Sequence, residues 1–266
     1  MTIMLNEHEW AKNMLQSHSL GKKPTETLGH IARYYIDEHQ GEKGISKREV
    51  RKKLESFLVQ CDPSTSIPKW DNALTYVINR AFKRKTIYIE NITITKPELD
   101  KIGILKGKQL RRLAFTLLCL SKYWDSVNFT DTHWVNSQDT EIMKMANIVT
   151  SVKRQSQLYN ELNNLGLIKF SKKVDNTNVR VCFVADGEVI LNITDFRNLG
   201  HQYERYRGVP CRVCQNCGLV FSTRNSKGDR PPKYCKECAQ IVYMRQSVES
   251  VMRNRAKNTK TELLNV

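Results

Sequence analysis

Apolar residues recur along most of this chain at the three-to-four spacing of helices that bury one face. In residues 25–39 the recurring positions are Leu28, Ile31, Ala32 and Tyr35, behind a Pro24-Thr-Glu start. In residues 46–61 they are Val50, Leu54, Phe57 and Leu58, and Ser46 with Glu49 three residues on forms a capping box. Residues 62–68 read as a loop and residues 70–82 as a third helix, closed by the basic run Lys83-Arg84-Lys85. The period then shortens to two. Residues 86–95 alternate around Ile87, Ile89, Ile92 and Ile94 and are expected as a strand. After a short helix near residues 96–100, a longer one runs from Gly107 to about Trp124 with an apolar face of Leu110, Leu113, Ala114, Leu117, Leu118 and Leu120. That face belongs in a core, and Arg111-Arg112 are expected to face solvent or a partner.

Polar, irregular sequence over residues 128–137 marks a boundary, and a second falls near Asn198-Leu-Gly200. Between them residues 140–146 predict a short helix (Ile142, Met145 and Ala146 inward), residues 147–151 a turn, and residues 151–164 a second helix carrying Leu158, Leu162 and Leu165. Gly166-Leu-Ile-Lys-Phe170, a turn at residues 175–178 and a return over residues 179–184 predict a hairpin. Helix, turn, helix and hairpin in this order resemble the winged helix-turn-helix superfamily over about residues 138–186. The resemblance implies that the second helix is a recognition helix, whose first residues face base edges. Ser151, Lys153, Arg154, Gln155 and Gln157 would then contact nucleic acid, since Arg forks onto guanine and Gln onto adenine. The hairpin would be the wing, with Lys169, Lys172, Lys173 and Arg180 at phosphates. The same fold also serves as a rigid protein–protein module, and both uses remain open.

Five of the eight cysteines crowd into residues 211–238. Cys214-Gln-Asn-Cys217, followed by Gly218, and Cys235-Lys-Glu-Cys238 are two CxxC knuckles separated by 17 residues, the pattern of a tetrahedral four-thiolate zinc site. Such a site keeps no position open for water or substrate and is structural. Cys211-Arg-Val-Cys214 is a further CxxC, so Cys211 stands as a bystander or a substitute ligand. With the helix expected over residues 239–256, the segment at about residues 211–256 resembles a treble-clef or zinc-ribbon finger. For so thin a core the ion would supply on the order of 10 kcal/mol of folding free energy. Arg224, Lys227, Arg230 and Lys233 surround it as candidate phosphate contacts. Cys61, Cys119 and Cys182 sit in apolar contexts and are expected as buried small hydrophobes.

The net charge of +16 points to a polyanionic partner. Lys and Arg outnumber Asp and Glu by 22 to 14 in residues 1–130 and by 13 to 5 in residues 201–266, and balance at 8 each in residues 131–200. DNA is favoured over RNA, because no aromatic stacking platform stands out. A protein or ribonucleoprotein partner, met by Arg51, Lys52, Lys53, Lys83, Arg84, Lys85, Arg111 and Arg112, is the alternative. That alternative is an inhibitor or adaptor, for example one that blocks a host nuclease. Neither a signal-peptide pattern nor a membrane-length apolar run is present, so a cytoplasmic protein with no membrane partner is expected. No catalytic motif groups the six histidines with Cys, Ser or acids, and no enzymatic activity is expected. The sequence thus predicts a mainly α protein with small β elements in three parts: a basic helical region (1–130), a winged-helix-like middle (131–200) and a zinc module with a basic helix (201–266). The whole resembles proteins carried by phages or mobile elements of bacteria, such as DNA-binding regulators or replication accessory factors.

Overall fold

A computed structural model describes residues 3–39, 44–172, 178–223 and 231–264, with side chains in the last stretch described through Arg253. The chain is mainly α with small sheets, and it divides into two compact units, residues 1–92 and 93–266. Among the described residues no helix is long and apolar enough to cross a membrane.

The first unit packs α1 (Glu7–Gln16), α2 (Pro24–Asp37), α3 (Lys47–Cys61) and α4 (Asp71–Ala81). Pro24 occupies the first position of α2, where its missing N–H is no loss. Both halves of the Ser46–Glu49 capping box are formed at the start of α3. Leu28, Ile31, Val50, Leu54, Leu58 and Leu74 are fully buried in a common core. The expected strand over residues 86–95 forms only at its end, as β1 (Ile92–Thr95). Its earlier part instead runs beside the segment leading into α1, with Tyr88 opposite Asn6 and the Ile89 N–H donating to the Leu5 carbonyl.

The second unit is built around α6 (Lys108–Asn128). A helix buried on nearly every side must be covered on every side. Here α5 (Lys96–Gly103), α7 (Asp139–Met145), α8 (Val152–Asn164) and α9 (Leu199–Tyr206) cover it, together with strands β2 (Trp134–Val135) and β4 (Val179–Val181). β4 pairs antiparallel with β2 on one side and with β3 (Ile168–Phe170) on the other. β5 (Val189–Ile193) pairs with β1, and β6 (Cys211–Val213) pairs antiparallel with β7 (Val220–Ser222). α10 (Lys236–Leu264) closes the chain.

Three expectations are corrected by this packing. The division falls after Ile92 and not near residue 130, because α6 packs on the elements that follow it. Arg112 is buried, 7% exposed, and faces neither solvent nor a partner. Its guanidinium donates to the Glu204 carboxylate (2.5 Å) and to the Asn147 carbonyl (2.9 Å), because α9 packs on that side of α6. Cys182 is exposed and Cys61 half-buried, which leaves only Cys119 of the three scattered thiols in the core. Val179, Val181 and Phe183 take the inward positions, and strand alternation turns Cys182 outward.

The two sequence boundaries are both tied down. Over residues 128–137, Asp125 gathers the backbone N–H groups of Thr132 and His133, the Thr130 hydroxyl and the His133 ring. At residues 198–200, Asn198 accepts from the Asn147 amide, and the His201 N–H donates to the Asn147 side chain. A Cβ on Gly200 would lie 2.0 Å from the Ala146 carbonyl oxygen, so the close approach of α9 to the α7–α8 turn requires glycine. Gly200→Ala is expected to destabilise the second unit by about 3 kcal/mol, read as a lowered denaturation midpoint. Gly208→Ala, at a positive φ but with nothing near its Cβ, is the milder comparison.

Candidate metal centre and basic surface

The sulfurs of Cys214, Cys217, Cys235 and Cys238 converge, all within 4.8 Å of one another. Two local structures bring them there. After β6 the first knuckle folds back, with the Gly218 N–H donating to the Cys214 carbonyl at 2.9 Å. Gly218 takes φ +73°, a conformation that the CxxC turn requires and glycine supplies without strain. The second knuckle is the entry to α10, where the Ala239 N–H reaches the Cys235 carbonyl at 2.8 Å. The knuckles also hold each other. The Gln215 N–H donates to the Lys233 carbonyl, the Cys235 N–H to the Cys214 sulfur (3.3 Å), and the Asn216 amide to the Cys238 sulfur (3.3 Å).

Burial would raise the Cys214 thiol, but N–H groups of Cys235, Cys217 and Asn216 aimed at its sulfur hold it down at about 6. The Asn216 amide favours the Cys238 thiolate, yet neighbouring sulfurs, Cys217 first, and burial push that thiol up to about 12. Four sulfurs this close repel as anions, which is the electrostatic condition a cation relieves. The set is compatible with a metal site, and Leu219, Phe221 and Tyr234 pack around it.

Cys211 lies outside this set, in a second cluster with His201 and Glu204. Glu204 already accepts from Arg112 and pairs with Lys108 at 3.3 Å. A dication there would face two cations and compete for a neutralised carboxylate, so this cluster reads as a buried ion-pair network. Burial and then Arg112 press the His201 imidazole down to about 4, which keeps it neutral at ordinary pH.

The cysteine knuckles are fastened to the rest of their unit. Arg197 donates to the Cys217 carbonyl (2.8 Å) and Asn198 to the Val220 carbonyl (2.9 Å), while α9 packs on both β6 and β7.

The predicted nucleic-acid residues are placed unevenly. Ser151 caps α8 through its hydroxyl, which accepts from the Arg154 N–H. Lys153 and Gln157 are exposed at the start of α8, whose opposite face buries Leu158, Tyr159 and Leu162. Arg154 bonds to Gln157 and pairs with Glu161 at 2.8 Å, and Gln155 donates to the Thr150 carbonyl. On the hairpin, Lys169 stands directly opposite Arg180, and Arg180 opposite Trp134. Lys169, Arg180 and Lys172 are exposed, as is Lys233 beside the second knuckle. Lys173, Arg224, Lys227 and Arg230 lie outside the described residues. Sequence reasoning missed α9, whose buried positions are interrupted by polar ones, and with it the role of Asn147, which takes a left-handed φ of +54° in the turn between α7 and α8.

Metal content of purified variants tests the ligand assignment. Wild type and Cys211→Ser are expected to retain one ion per chain, and Cys214→Ser or Cys235→Ser to lose it, by elemental analysis after dialysis. Comparison of the chain with protein-family models, curated proteins and solved structures returned no match.

Proposed function

We propose that this is a DNA-binding protein that reads duplex DNA with a winged helix-turn-helix, α8 being its recognition helix, and carries a treble-clef-like finger around one structural zinc ion. The observation that carries the DNA reading is the Lys169–Arg180 pair on the exposed face of the three-stranded sheet. Like charges directly opposite each other across strands destabilise a sheet. Their placement makes sense where a phosphate backbone lies between them and neutralises both. The exposed start of α8 adds Lys153, and Gln157 one turn further on, together with the positive end of a helix dipole. α6 ahead of the helix pair, and β2 beside the hairpin, supply the rigid support that a reading helix needs.

Support for zinc comes from the sulfurs. A tetrahedral zinc–thiolate centre with bonds near 2.3 Å places its sulfurs roughly 3.8 Å apart. Cys217 and Cys235 stand at 3.8 Å. With all four positions taken by sulfur, the ion would fold the module and perform no chemistry. The adaptor alternative loses part of its basis, since Arg51 pairs with Glu55 and Asp71, Arg112 with Glu204, and Arg111 donates to the Leu105 carbonyl.

The test is fluorescence anisotropy on random 30-base-pair DNA at low and moderate salt. Wild type is expected to bind with a steep salt dependence. Lys169→Ala/Arg180→Ala is expected to reduce the slope of log K against log salt by about 2. Lys153→Ala is expected to weaken binding, and Glu161→Gln, which releases Arg154 from its helix partner, to strengthen it about threefold. Absence of binding at low salt would remove the DNA reading, and retention of the full slope in the double variant would move the contact elsewhere.

A further inference from the structure

The N-terminal unit holds a cleft of about 250 Å³ between α1, α2, α4 and the segment after α4. Its floor is the carboxylate of Glu7, 1% exposed. One Glu7 oxygen is held by Arg33 and His30, and the other accepts from the Ile87 N–H at 2.9 Å. Burial alone would raise the Glu7 carboxyl; His30 and then Arg33 hold it below the usual range. Glu7 is therefore spent on the two basic groups beside it.

Three further cations line the same cleft without such a partner: Arg80, Arg84 and Lys85. Among the described residues none of them has a carboxylate within ion-pair distance. Arg80 donates to the Tyr76 hydroxyl at 2.6 Å and lies 5.9 Å from the centre of its ring. Burial, then Arg80 and then Arg33, pull the Arg84 guanidinium below its ordinary value, a sign of cations crowded around one space. The remaining acid on the lining, Glu26, is engaged by Lys23 at 3.4 Å. A crowd of positive groups around one cleft, two of them guanidinium forks, is the arrangement that a phosphoryl group satisfies. The volume falls short of the roughly 300–1,000 Å³ of pockets that enclose whole drug-sized ligands. Its floor is closed by the Glu7–Arg33–His30 cluster, so a group attached on one side can enter and a chain running through cannot. Tyr76, 56% exposed at the lining, offers a face for the adjoining sugar or base.

We propose that this cleft binds a terminal phosphomonoester, with Arg80, Arg84 and Lys85 holding its oxygens and Tyr76 flanking the nucleoside that bears it. The site lies in the unit that does not contain α8 and does not depend on the duplex-reading proposal. Two sources share this chemistry, the phosphorylated end of a nucleic acid strand and a free mononucleotide.

The experiment uses the full-length protein and internally labelled single-stranded 12-mers carrying a 5′-phosphate, a 3′-phosphate or neither. Adenosine monophosphate and adenosine serve as competitors. A phosphorylated end is expected to bind about tenfold more tightly than the hydroxyl-ended strand, or the monophosphate to compete where adenosine does not. Either preference is expected to vanish in Arg80→Gln/Arg84→Gln. Both side chains are exposed, and an unchanged melting temperature verifies that the variant folds. Preference for a strand end identifies nucleic acid as the source; preference for the monophosphate alone identifies the free nucleotide. Lys153→Ala/Arg154→Ala is expected to leave the preference intact. Indifference to the phosphate in every arm, or a preference that survives the double variant, would overturn the proposal.

Discussion

The second unit depends on one buried guanidinium. Arg112 sits in the second turn of α6, among its buried apolar residues, where an unpaired charge would be untenable. It is made tenable by groups from two other elements, the Glu204 carboxylate of α9 and the Asn147 carbonyl of the turn between α7 and α8. Losing one partner of such a buried pair costs far more than losing both, because the survivor stays charged and dry. The pair therefore acts as a position lock: α9 and the turn can pack on α6 in the register that serves the guanidinium and in few others. Everything downstream inherits that register. The Arg197 and Asn198 contacts carry it to the cysteine knuckles, and the start of α8 follows directly from the turn.

This lock explains what the sequence did and did not reveal. Where local physics decides, the residues were legible. The apolar stripes of α2, α3 and α6, the Ser46–Glu49 box, the paired CxxC knuckles and Gly218 all carry their reason within a few neighbours. Where distant partners decide, they were not. Arg112 looks like a surface arginine until α9 is placed beside it, and nothing local signals that Glu204 will be there. The isoleucine alternation of residues 86–95 is a genuine strand signal, yet the partners available were the short segment before α1 and the brief β5, so most of it pairs irregularly. Polar residues 128–137 look like a linker because Asp125, which organises them, belongs to the preceding helix.

The charge of the chain also reads differently once partners are known. Arg33, Arg51, Arg112 and Arg197 all contribute to the net +16, but each is consumed by a carboxylate of the same molecule. Among the described cations without an ion pair, two groupings stand out: Lys169 with Arg180 on one sheet, and Arg80, Arg84 and Lys85 around one cleft. Grouping concentrates the field that a uniform basic surface would spread. It is the physical ground for treating these two places, rather than the total, as functional.

α10 carries a different implication. It has 29 residues, roughly 44 Å at 1.5 Å per residue, and from Tyr243 to Arg253 its side chains are exposed. A helix with so little cover has to start somewhere, and starting is the unfavourable step of helix formation, whereas lengthening is nearly free. Cys235 and Cys238 sit at that start. The convergence of four sulfurs also fixes that first turn, so the cysteine cluster serves as the seed from which a rod many times its own size is propagated.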